Sequence, residues 1–140
     1  MMLTCICTVL KAQDSQLELR INNIKPGPGI VRIAVCESPD QFPDNPGKHY
    51  SLPKEEINNN SISLVIQGLR PGAYAITLLD DKNGNGEMDT GILGIPKEGF
   101  GFSNDVKPTR KPPSFEKCTF QVREGFNYLA INMQYFTKGK

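Results

Sequence analysis

Oxygen-bearing side chains recur at every second position along Asp81-Lys82-Asn83-Gly84-Asn85-Gly86-Glu87-Met88-Asp89, with glycine set among them. This is the grammar of a calcium loop, where ligands come from positions 1, 3, 5, 7 (a backbone carbonyl) and 9, glycine at position 6 permits the sharp turn, and a bidentate Glu closes position 12. Counted from Asp81, the donors are Asp81, Asn83, Asn85, the carbonyl of Glu87 and Asp89, with Gly86 at the turn; Ile92 stands where the closing Glu would be. The expectation is a Ca²⁺ ion held by these five residues, with water completing its shell. Two carboxylates without the closing Glu imply weak binding, with a Kd of about 10⁻⁴ to 10⁻³ M, as in extracellular modules. The competing reading is plain turn chemistry, because Asn and Gly tolerate positive φ and Asx side chains cap their own backbone. A tight two-residue hairpin needs a good strand directly after it, however, and Gly91-Ile92-Leu93-Gly94 is a poor one.

A second constellation follows in Glu98-Gly99-Phe100-Gly101-Phe102-Ser103-Asn104. Phe100, Phe102, Ser103 and Asn104 could form a ligand platform, since aromatic faces flanked by polar groups stack on sugars or hold a peptide. The alternative is that Phe100 and Phe102 plug one end of the domain, with the glycines permitting close approach. No catalytic residue is assigned. Ser103 does not lie in a nucleophile elbow, and the single histidine, His49, cannot build a His-rich zinc site. The enzymatic alternative is a glycan hydrolase using carboxylates of the 91–116 loop, from Glu98, Asp105 and Glu116, although nothing in the sequence fixes their separation. Lys107, Arg110, Lys111 and Lys117 are interrupted by prolines and read as solvated surface.

These groups need a frame. The 140 residues suit one domain with a core of its own. A net charge of +1, from 16 basic and 15 acidic residues, argues against nucleic acid or an anionic membrane as partner. Thirteen Gly, eleven Pro and no Trp accompany short apolar runs, which favours a β-rich chain with many turns over a helical bundle. Leu17, Leu19 and Ile21 alternate with polar residues, as a half-buried strand requires. A Pro/Gly cluster at 25–29 then leads to a second strand at 30–36, read as a hairpin with the first. Residues 38–60 form a long loop with one helical turn near Pro53-Lys54-Glu55-Glu56. Alternation resumes at 61–66, and Pro71-Gly72 reads as a type II turn into a strand from Ala73 to Leu79 that delivers the chain to the calcium-type loop. Residues 91–113 form a long ordered loop, and strands at 118–122 and 128–135 close the chain as a pair. About six short strands predict an all-β fold, an antiparallel β-sandwich of immunoglobulin-like or prealbumin-like type with long ordered loops.

The N-terminal residues 1–12 read as a truncated signal peptide, apolar through Leu10 with Ala12 at the cleavage site but without a basic start. The run is too short to span a bilayer, which takes about 20 apolar residues. Residues 13–140 are then a single secreted or periplasmic domain, read as a monomer with a carbohydrate or peptide ligand. Of the cysteines this domain keeps, Cys36 and Cys118, two readings stand: a disulfide of an exported protein, or two small buried side chains.

Gly68-Leu69-Arg70-Pro71-Gly72-Ala73-Tyr74, the Asp81 to Asp89 run and Gly94-Ile95-Pro96-Lys97-Glu98-Gly99-Phe100-Gly101-Phe102-Ser103-Asn104 together resemble domain of unknown function family 2141. The resemblance covers essentially all of 13–140 and implies a small exported bacterial protein. That family has no established activity, so the resemblance implies location and fold, not a reaction. The turn ending in Tyr74 is similar to those in prealbumin-like and carboxypeptidase-regulatory-like sandwiches.

Overall fold

The structure is a computed structural model that describes residues 15–109 and 111–136. The signal-like segment 1–12 lies outside the described residues. Among the described residues eight strands form two sheets. The first sheet has three strands in the order β4-β1-β8: β1 (Ser15–Asn22) lies between β4 (Ile62–Leu69) and β8 (Phe126–Asn132). The second is built around β2 (Ile30–Cys36) and β5 (Gly72–Asp81), with β3 (Lys48–Pro53) on the outer side of β2. Two short strands share the far edge of β5: β7 (Phe120–Val122) lies beside Gly72–Tyr74, and β6 (Gly99–Phe102) beside Thr77–Asp80.

The period-two pattern explains the core. Leu17, Leu19 and Ile21 of β1 are at most 1% exposed, whereas Gln16 and Arg20 are exposed and Glu18 half-buried. From the other sheet Val31, Ile33, Val35, Ile76 and Leu78 join them in one apolar cluster, to which Ile66 and Ile131 also belong. Burial of each such side chain contributes about 1.5–3 kcal/mol, and this seam holds the two sheets together. A smaller cluster of Ala75, Phe102 and Cys118, with Phe42, Phe100, Val106 and Phe115 against it, covers the outer face of β5. The single helical turn α1 (Phe115–Cys118), capped where the Ser114 side chain accepts the Lys117 N–H, supplies part of that cover.

The expected architecture needs three corrections. The three connections read as hairpins do not join paired strands: β1 to β2, β4 to β5 and β7 to β8 each carry the chain from one sheet to the other. Alternation reports that one face of a strand is buried, and both partner sheets satisfy it equally. The Pro71-Gly72 corner is therefore a crossing, and Gly72, with φ 158°, is extended instead of adopting the type II geometry. The sheets are also not wholly antiparallel, because β1 and β8 pair in parallel from Gln16↔Phe126 to Asn132. A parallel pair cannot be closed by a tight turn; here nearly the whole domain is the connection. Finally, the loops read at 38–60 and 91–113 contain β3 and β6. β3 is an edge strand with Lys48 and Pro53 at its ends, the composition edges tolerate, and β6 has four residues, too few for periodicity. The helical turn expected near Lys54 is present as a 3₁₀ turn at Lys54–Glu56.

Candidate functional site

β5 ends on two acidic residues, Asp80 and Asp81, both fully buried. Successive strand residues point to opposite faces, so the two carboxylates enter different environments. Asp80 shares the face of Ile76 and Leu78, and Asp81 lies on the face of Arg32 from the adjacent β2. Arg32 Nε donates to Asp81 Oδ2 at 2.6 Å, and Nη2 reaches the Gly84 carbonyl at 3.3 Å. The Gly86 N–H donates to the same Oδ2 at 2.8 Å, and Gly86 has φ 79°, the sharp-turn geometry the calcium-loop pattern requires at its sixth position. Asp81 Oδ1 is buried and has no hydrogen-bond partner among the described residues.

Burial alone would raise the Asp81 pKa, but the hydrogen bonds and charge of Arg32, with the loop N–H groups of Gly86 and Gly84, outweigh it and hold the carboxyl below its ordinary 3.8. A depressed folded-state pKa means that the pair's contribution is complete above the unfolded value and disappears as pH falls through the folded one. We expect the unfolding midpoint to drop more steeply below pH 3.8 in the parent than in Arg32→Met, measured as melting curves across an acid series. Superimposable acid limbs would show that the pair contributes nothing.

The rest of the loop closes on Asp89. Asn83 Nδ2 donates to Asp89 Oδ2 at 2.6 Å and Asn85 Nδ2 to Oδ1 at 2.9 Å. The two amide oxygens accept backbone N–H groups, Asn83 Oδ1 from Asn85 and Asn85 Oδ1 from Glu87. Turn chemistry and the oxygen-rich cluster are thus both present, built from the same side chains. Glu87 is exposed. Glu98, which lies just before β6 and is 3% exposed, accepts the Lys82 N–H at 2.6 Å and the Asp89 N–H at 3.0 Å. One carboxylate therefore fastens both ends of the loop. Among the described residues no three His, Cys, Asp or Glu side chains gather into a metal cluster. The structure brings Asn83, Asn85 and Asp89 together and holds Asp81 against Arg32 and Gly86. The side-chain oxygens of the loop are hard ligands, a type suited to Ca²⁺ and unsuited to zinc.

The second constellation is placed differently. Phe102 is 8% exposed within the smaller cluster, Phe100 is half-buried beside it, and their ring centroids lie 6.1 Å apart. Ser103 is fully buried; its Oγ accepts the Ile76 N–H and donates to the Cys118 carbonyl. Asn104 is exposed and its Nδ2 donates to the carbonyls of Lys117 and Thr119. These residues fix β6 and α1 to β5. The carboxylates of the hydrolase alternative are held separately: Glu98 by the loop, Asp105 by the backbone and side chain of Asn132, while Glu116 is exposed on α1. Cys36 and Cys118 are free and buried, and burial, with Asp44 adding to it at Cys36, pushes each thiol up to about 11.

Sequence reasoning missed three groups. Arg32 reads as one polar residue in an apolar strand, and Glu98 as a loop charge. The third is a buried cluster: Lys54 Nζ lies 2.9 Å from Asp80 Oδ1 with side chains 2% and 0% exposed, and Tyr135 Oη donates to Asp80 Oδ2 at 2.6 Å. The only signal was the doubled Asp80-Asp81 in one strand, where a second carboxylate had to face the core.

No helix among the described residues is long and apolar enough to cross a membrane. No curated protein and no solved structure matches the chain. One family model does, over residues 19–128, described as an uncharacterised protein conserved in bacteria (DUF2141).

Proposed function

The chain belongs to DUF2141, an uncharacterised bacterial family, and from that premise we propose an exported, non-catalytic β-sandwich protein of the cell envelope whose loop at 81–89 binds Ca²⁺. The observation that carries the reading is Asp81: a fully buried carboxylate at the first loop position with one oxygen unpartnered. Burying a charged oxygen without a partner is costly, so such an atom points to a missing cation. Asn83, Asn85 and Asp89 stand in the same loop, and Glu98 holds its ends in place. Arg32 already neutralises part of the Asp81 charge, which agrees with weak affinity. An immunoglobulin-like or prealbumin-like type is supported by the Tyr74 hydroxyl, which donates to the Arg70 carbonyl at 2.7 Å across the β4–β5 crossing. A tyrosine hydroxyl that bonds back to the main chain a few residues upstream, at a corner between sheets, is a feature of such sandwiches. The non-catalytic reading is supported by Glu98 and Asp105, whose oxygens accept from loop and strand groups.

The test is thermal unfolding in CaCl₂ and in EDTA, for the parent and an Asp81→Ala, Asp89→Ala double variant. At a free Ca²⁺ concentration ten times Kd, a ligand bound only by the folded state adds about 1.4 kcal/mol, a shift of a few degrees. The parent should show the shift and the double variant none. Coincident midpoints for the parent in both conditions would refute the metal site.

A further inference from the structure

The Lys54–Asp80–Tyr135 cluster has features that a salt bridge alone does not require. Lys54, in the 3₁₀ turn after β3, has its side chain 2% exposed, and its Nζ has no partner other than Asp80 among the described residues. An ammonium has three N–H donors, and a buried one served by a single carboxylate is poorly solvated. Nζ lies 3.0 Å from Oδ2 and 2.9 Å from Oδ1, yet Oδ1 makes no hydrogen bond of proper angle. The amine is thus seated against both oxygens of the carboxyl group, hydrogen-bonded to Oδ2 and in contact with Oδ1. The Tyr135 hydroxyl oxygen accepts the Lys25 N–H at 2.8 Å, so its own proton is directed to Asp80 Oδ2 at 2.6 Å. Burial, together with Asp80 beside it, raises the phenol well above its ordinary value and keeps that proton in place. The Tyr135 ring is itself fixed: a Cβ added at Gly99 would lie 2.4 Å from its Cε1, and the Lys25 Nζ sits 4.6 Å from the ring centroid.

We propose that Lys54 and Asp80 condense into an intramolecular amide bond, with Tyr135 as the hydrogen-bond donor that polarises the reacting carbonyl. Proton transfer from Nζ to the carboxylate converts the ion pair into a neutral amine and acid, and exclusion of water removes the solvation that favours the charged pair in bulk. The amine attacks Cγ, forming the N–C bond, while Tyr135 steadies the developing charge on Oδ2. A second proton moves from nitrogen to Oδ1, the Cγ–Oδ1 bond breaks, and Oδ1 leaves as water. Nζ keeps one hydrogen and Oδ2 becomes the amide carbonyl, still hydrogen-bonded to Tyr135. No oxidant, cofactor or activated donor is consumed. The bond would tie the end of edge strand β3 to β5 across β2, and it is independent of the calcium reading.

The test is the intact mass of the denatured full-length chain, compared with a Lys54→Arg variant that keeps the charge but has no amine able to condense. The parent should be lighter than its encoded mass by one water, and Lys54→Arg should have its full encoded mass. Digestion should give a branched fragment joining the peptides of Lys54 and Asp80, with no tryptic cleavage after Lys54. Tyr135→Phe should slow formation of the bond by about tenfold or more, read as the cross-linked fraction against time after synthesis of the chain. A parent with its full encoded mass overturns the proposal. So does a water loss that maps to a peptide without Lys54, as an aspartyl succinimide would give; succinimides at Asn83-Gly84 or Asn85-Gly86 lose ammonia instead and are told apart by mass.

Discussion

Asp80→Ala is expected to lower the unfolding free energy by about 3–5 kcal/mol, because it strands the Lys54 charge in a water-free interior. Both side chains of the pair are at most 2% exposed, so solvent cannot take the place of the lost partner. Tyr135 loses its acceptor in the same step. A Lys54→Met, Asp80→Leu double variant should be less destabilised than Asp80→Ala, since apolar groups of similar volume leave no charge behind. Against a parent whose pair is still uncondensed, urea denaturation reads the effect as a lower midpoint with an unchanged slope; against a condensed parent the slope rises as well, because the cross-link is lost from the denatured state. An Asp80→Ala midpoint close to the parent's would mean that water enters the cluster freely and that it is not the buried pair described here.

Gly29→Ala should cost about 2–5 kcal/mol, the sum of two separable penalties. Gly29 has φ 120°, a region that side chains rarely enter, and an added Cβ would stand 2.4 Å from the Asp81 carbonyl oxygen and 2.8 Å from the Lys82 Cα. Neither obstacle is a flexible side-chain end; both are main chain at the mouth of the 81–89 loop. The Gly29 carbonyl also accepts the Lys54 N–H at 3.2 Å, so a shift at this residue disturbs both acidic residues of β5. Gly27→Ala is the control, because Gly27 has φ 140° with nothing within 4 Å of its added Cβ and carries the strain alone. If the two variants melt together, contact with Asp81 is unimportant and backbone strain accounts for everything.

What could be read before any coordinates depended on whether the signal was local. The strands around Leu19, Ile33 and Ile76 were visible because each carries its own local signal, alternation at Leu19 and a short apolar run after turn residues at Ile33 and Ile76. The loop from Asp81 to Asp89 was visible because its donors are neighbours in sequence, and the structure does gather Asn83, Asn85 and Asp89. Partnership was not visible: whether β2 pairs with β1 or with β5 depends on residues some forty positions away. The same applies to Arg32 with Asp81, and to Lys54, Asp80 and Tyr135, which meet only once the strands have found their sheet. The run around Phe102 and Ser103 gave residue types suited to a ligand, whereas its burial depends on Phe42 and Phe115, which no local pattern connects to it.

The parallel pairing of β1 with β8 determines how the domain would bear a pull along the chain. Their register runs through seven successive pairs from Gln16↔Phe126 to Asn22↔Asn132. The leading end of β1 and the trailing end of β8 lie at opposite ends of this ribbon. Tension drawn in through the flanking chain would slide the two strands past each other, loading all the rungs at once instead of peeling them one by one. For a protein attached through one end and pulled through the other, this ribbon would be the mechanical clamp.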